Sequence, residues 1–194
     1  MGEQRVSLVN DKEQMRTFVK SLLKDVQAME YMLDNQMFES GITRIGAEQE
    51  MVLVKNQTMK PAPIAMDVLK SLHDKPWLET ELAKFNLEIN IDPLVFTGDC
   101  FSSLEKEIQQ KLSIISQELI QHDSSLLLTG ILPTFRKNDL ELHNLTPKER
   151  YKALMEAINS QLIGNNFELR IFGIDELQIQ HSSPLLEALS LIHI

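Results

Sequence analysis

The stretch Arg44-Ile45-Gly46-Ala47-Glu48-Gln49-Glu50-Met51-Val52-Leu53-Val54 decides the fold. In an extended backbone alternate side chains share a side, so Glu48 and Glu50 project together while Gln49 and Met51 point the other way. Two carboxylates two residues apart, roughly 6 to 7 Å at Cα, repel and raise each other's proton affinity unless a cation or a held proton lies between them. Such a pair is either a solvated surface or a site. Phe85-Asn86-Leu87-Glu88-Ile89-Asn90-Ile91 adds a second strand in which Asn86, Glu88 and Asn90 alternate with large apolar residues. If both strands join one sheet, three carboxylates and two amides line one surface. An oxygen-only set of that kind suits a hard divalent cation, and a plain solvated sheet face satisfies the same pattern.

Composition narrows the classes. With 194 residues, 43% of them hydrophobic, the chain buries a substantial core and reads as globular. A net charge of -9 without any cluster of Lys and Arg excludes a nucleic-acid surface. Cys100 is the single cysteine, which rules out an intramolecular disulfide or a cysteine-rich metal cluster and points to a reducing compartment. Met1-Gly2-Glu3-Gln4-Arg5 does not open a secretory signal, and no apolar run approaches the roughly 20 residues that span a bilayer. The expectation is a cytoplasmic protein with no membrane partner. Oligomeric state is left open.

The remaining elements follow from periodicity. From Asp11 to Gln36 apolar residues recur at spacings of three and four, which predicts an amphipathic helix whose stripe enters the core. Pro61 and Pro63 lead into a short helix with Met66, Leu69 and Leu72 on one face. Asp92-Pro93 is expected to end the second strand, because proline removes a ladder donor. Ser102-Ser103-Leu104-Glu105 has capping-box form ahead of a helix through Leu119, and Thr146-Pro147-Lys148-Glu149 has it ahead of one running toward Gly164. Leu126 to Leu132 reads as a central strand covered on both faces. Phe167 to Ile171 and Leu177 to Gln180 alternate again, and their polar faces are ordinary surface types. The expected class is α+β, a largely antiparallel sheet with helices on its apolar face and a polar face left wet.

The order Gly46-Ala47-Glu48-Gln49-Glu50, Asn86-Leu87-Glu88-Ile89-Asn90, Gly130-Ile131-Leu132-Pro133, Leu145-Thr146-Pro147 with Arg150-Tyr151, and Asp175-Glu176-Leu177 resembles glutamate-cysteine ligase family 2, the carboxylate-amine ligases, over about residues 40 to 188. The resemblance implies a glutamine synthetase-like sheet curled into a funnel, whose polar face holds divalent cations and ATP. It places Glu48, Glu50 and Glu88 on the family's metal-binding carboxylates, the three residues reached above from strand alternation. It also implies an ATP- and Mg-dependent ligase that joins a small glutamate-like carboxylate to an amine through an acyl phosphate. The residues alone leave room for a non-catalytic sensing or interaction module on the same scaffold, or for a hydrolase using two carboxylates as acid and base. Family patterns continue past Ala188 into strands bearing a histidine and basic phosphate-binding residues. The expected organisation is therefore a helical segment at 1–39, an N-terminal and incomplete part of the catalytic domain at 40–188, and a non-native tail at 189–194. No catalytic or ATP-contacting residue is assigned.

Overall fold

The computed structural model describes residues 11–161, 167–172 and 176–181, with side chains through residue 157. The 189–194 run and the expected helix end near Gly164 lie outside the described residues. Four strands form one antiparallel sheet: β1 (Arg44–Lys55), β2 (Leu78–Thr80), β3 (Asn86–Val95) and β4 (Ser124–Leu127), in the spatial order β2-β3-β1-β4. β5 (Phe167–Phe172) and β6 (Glu176–His181) pair with each other as a separate two-stranded sheet. The helices are α1 (Lys12–Asp34), α2 (Ala65–Ser71), α3 (Cys100–Ile120) and α4 (Glu149–Gln161), and the class is α+β as expected. None of these helices, among the described residues, is long and apolar enough to cross a membrane.

The main core lies under one face of the sheet. Met51 and Leu53 of β1 and Leu87, Ile89 and Ile91 of β3 meet Ile115 and Leu119 of α3 and Ala65 and Val68 of α2. Fully burying a side chain of this size contributes about 1.5 to 3 kcal/mol, so this cluster carries much of the fold's stability. Cys100, at the start of α3, is buried as a small apolar residue. Lys111 of α3 reaches the sheet edge-on: its Nζ donates to the Asn90 carbonyl at 2.8 Å and to Glu107 at 2.7 Å, and lies 5.4 Å from the Trp77 ring centroid.

Several expectations are corrected. The opposite face of the sheet is not polar throughout, since Val52 and Val54 are buried there with Ala83, Phe85 and Leu132 in a second apolar cluster. The Phe85 and Phe135 rings sit 5.1 Å apart within it. β1 thus reads as alternating up to Glu50 and as buried on both faces from Met51 to Val54. β3 does not stop at Asp92-Pro93. Pairing slips from Ala47↔Ile91 to Ile45↔Leu94, so Asp92 and Pro93 together oppose Gly46 in a bulge, where proline's missing donor costs no ladder bond. The expected central strand is the four-residue sheet edge β4, and Leu128 and Ile131 beyond it are 51% and 62% exposed. α3 begins at Cys100 behind Asp99, which puts Ser102 and Ser103 inside the helix.

The largest departure is α1. Its ends are as expected, with Asp11 as N-cap accepting from the Glu13 and Gln14 amides at 2.8 and 2.7 Å. Yet among the described residues nothing covers it: none of its 23 residues is buried, and the stripe expected in the core faces out.

Candidate metal centre

The β1–β3 register sets Glu50 directly opposite Glu88 and Glu48 opposite Asn90. The β2–β3 register sets Glu79 opposite Glu88. Opposed residues of antiparallel strands share a face, so Glu79, Glu88 and Glu50 form one row across three strands, with Glu48 one step along β1 on the same side.

Three carboxylates come closest together: Glu50, Glu81 and Glu88 each offer an oxygen within 4.8 Å of the other two, and all three are half-buried. Glu50 and Glu88 were expected here. Glu48 is exposed on the same face, and Glu81 joins the group without having been foreseen. The signal for Glu81 was present in Leu78-Glu79-Thr80-Glu81-Leu82, an alternating run too short to stand out as a strand.

Glu81 lies just past β2, and its position is imposed by the Thr-Pro segment. The Thr146 hydroxyl donates to the Glu81 carbonyl at 2.6 Å, and the Thr146 amide donates to the Leu82 carbonyl at 2.8 Å. Thr146 is fully buried. The Leu82 amide donates to Glu81 Oε2 at 2.7 Å, which turns the carboxylate. One turn into α4, the buried Tyr151 donates its hydroxyl to the Thr80 carbonyl at 2.9 Å and packs with Leu82 and Met155. α4 therefore packs against the β2 end of the sheet in a small cluster of its own, separate from the α3 core.

Electrostatics reflect the crowding. Burial pushes the Glu88 carboxyl above its usual range, and the nearby charges of Glu48, Glu81 and Glu79 push the same way. A hydrogen bond from the Asn90 amide to Glu88 Oε1, at 3.0 Å, opposes them only in part. At the rim, burial lowers the Lys148 pKa against the pull of Glu79, and the Arg150 guanidinium lies 5.2 Å from the Tyr151 ring centroid. On β3, two residues before Glu88 and on the same face, Asn86 is 5% exposed, and its Oδ1 has no hydrogen-bond partner. A buried carbonyl oxygen without a donor is costly unless something else meets it.

These observations fit a hard cation. Every converging atom is an oxygen, the carboxylates outnumber their nearby cations, and Glu50 also borders a cleft of about 480 Å³ that it lines with Glu48, Gln49, Leu128, Thr129 and Gly130. Such a cleft has the size of a small-molecule pocket. Residues 44–181 match the family model described as Glutamate-cysteine ligase family 2. No curated protein and no solved structure matches the chain.

Proposed function

Since the chain belongs to glutamate-cysteine ligase family 2, whose activity is of the carboxylate-amine ligase type, we propose that it is an ATP- and Mg-dependent ligase built on a glutamine synthetase-like sheet. The observation that carries the cation part is the meeting of Glu50, Glu81 and Glu88 within 4.8 Å, beside an open cleft.

In this reading Glu50 and Glu88 would hold Mg²⁺ from adjacent strands, Glu81 would close the set, and Glu48 would bind it or orient a ligand from the exposed end of the row. A cation held by these carboxylates would supply charge neutralisation at phosphate oxygens. The substrates are a glutamate-like carboxylate and an amine. A carboxylate oxygen attacks the γ-phosphorus of ATP and ADP leaves. The amine nitrogen then attacks the acyl phosphate carbon, phosphate departs, and the nitrogen loses a proton. No protein nucleophile is required, consistent with Cys100 serving as a packing residue. The chain's contribution is placement: the Thr146 contact fixes Glu81, the β1–β3 ladder fixes Glu50 against Glu88, and Lys148 and Arg150 put positive charge at the rim. The enzyme would work in the cytoplasm, with residues 1–39 as a helical segment ahead of the catalytic part.

The test is phosphate release in the presence of Mg²⁺, ATP, glutamate and a panel of amines, for the parent chain and for Glu50→Gln and Glu88→Gln. Release that depends on Mg²⁺, ATP, glutamate and an amine together and is lost in both variants supports the ligase. Wild-type release in both variants would remove the glutamates from the mechanism. Mg²⁺-dependent thermal stabilisation with no turnover would favour a sensing module.

A further inference from the structure

α1 carries a second pattern that the ligase reading does not use. Met15, Val19, Leu22, Val26, Met29 and Leu33 follow one another at spacings of 4, 3, 4, 3 and 4, the heptad rhythm of a coiled-coil seam. Each of the six is between 43% and 60% exposed. The helix spans about 35 Å at 1.5 Å per residue, and helical segments in water owe most of their stability to a covered apolar face. It also lies ahead of the residues that match the ligase family.

We propose that α1 is a dimerisation helix, pairing antiparallel with α1 of a second copy of this chain. In heptad terms Val19, Val26 and Leu33 occupy a positions, and Met15, Leu22 and Met29 occupy d positions. Antiparallel pairing sets a against d, and one register satisfies all six: Val19 on Met29, Val26 on Leu22, and Leu33 on Met15 of the other copy.

The flanks select the same arrangement. In that register the e positions meet each other, so Arg16 faces Glu30 of the second copy, twice by symmetry, and Leu23 meets its own equivalent. The g positions bring Phe18 onto Met32, also twice. Asp25 against its equivalent is the single unfavourable pair. A parallel pair would instead oppose Asp25 to Glu30 twice and leave Arg16 facing Asp11, whose carboxylate already caps the helix. Charges placed symmetrically about the pairing centre are what an isologous two-fold interface requires. An antiparallel pair also aligns the helix dipoles favourably.

The experiment is sedimentation velocity on the whole 194-residue chain over a range of micromolar concentrations, read alongside thermal unfolding. The parent chain sediments as a dimer. Val26→Lys sediments as a monomer with an unchanged melting transition for the sheet, since none of the α1 residues is buried among the described residues. Arg16→Glu and Glu30→Arg each weaken the dimer about tenfold, two exposed attractions having become repulsions, and the double variant R16E/E30R recovers parent affinity. A monomeric parent, or a Val26→Lys dimer, overturns the proposal. So does a monomeric Val26→Lys whose sheet melts earlier, because α1 would then be covered by its own chain. A double variant as weak as the single ones overturns the antiparallel register.

Discussion

Glu50 and Glu88 occupy opposed positions on neighbouring strands, with Glu79 completing the row from a third. Directly opposed like charges destabilise an antiparallel ladder. The sheet nonetheless builds its acidic row immediately beside its tightest packing, since Met51 follows Glu50 and Leu87 precedes Glu88 and both are fully buried.

A pH dependence follows from Glu88. Its carboxyl is pushed above the ordinary value of 4.5, first by burial and then by Glu48, Glu81 and Glu79. A carboxyl raised on folding stabilises the native state while protonated, and that contribution is lost as pH rises from the ordinary value through the raised one. In chelator, melting temperature should therefore fall over this window. Glu88→Gln should flatten the fall and melt at or above the parent at neutral pH. Saturating Mg²⁺ should raise the parent's melting temperature and leave the variant's almost unmoved.

Glu81 and Glu48 should separate in the same assay. Glu81→Gln is expected to weaken Mg²⁺ at least tenfold, about 1.4 kcal/mol, because its oxygen lies within 4.8 Å of both Glu50 and Glu88. Glu48→Gln, exposed at the end of the row, should weaken it several-fold at most. Mg²⁺ titrations followed by calorimetry give both numbers, and equal losses would make Glu48 a full ligand.

Thr146→Val keeps the volume and removes the hydroxyl, leaving the Glu81 carbonyl without that donor. The expected cost is about 1 to 3 kcal/mol in chemical denaturation. Because the lost bond positions Glu81, Mg²⁺ affinity should fall as well, an effect that simple destabilisation at a remote core residue would not produce.

Remote core residues supply that comparison. Ile115→Ala, fully buried under the sheet, should cost about 2 to 5 kcal/mol and leave Mg²⁺ affinity intact. Lys111→Met should cost less, about 1 to 2 kcal/mol, through the donor it withdraws from the Asn90 carbonyl. Asn90 also holds Glu88, so Lys111→Met should produce a small loss of Mg²⁺ affinity where Ile115→Ala produces none.

Local alternation made the two long strands and the shared face of Glu48, Glu50 and Glu88 legible in the sequence, because period-two patterning fixes sidedness whatever the partners. Helix positions were equally legible from three- and four-residue spacing. What the pattern does not encode is what covers a stripe: α1 and α3 have the same rhythm, yet one is exposed and the other packed. Pairing partners were also hidden, and with them the bulge at Asp92-Pro93, which reads as a stop until Gly46 is seen opposite. Glu81 escaped for a related reason. Its place in the site comes from Thr146, far along the chain, and no local window contains both.

That separation of 65 residues, against 38 between Glu50 and Glu88, orders the site in time. Closing a longer loop costs more entropy, and distant contacts form after nearer ones have restricted the chain. During synthesis the β1–β3 pair can form once Val95 has emerged, but the third carboxylate is locked only after Thr146 and Tyr151 are made. A growing chain thus carries an acidic pair without its closing member, too sparse to retain a cation firmly. In the proposed ligase a cation would therefore find its full set of carboxylates only once the Thr146 segment has docked.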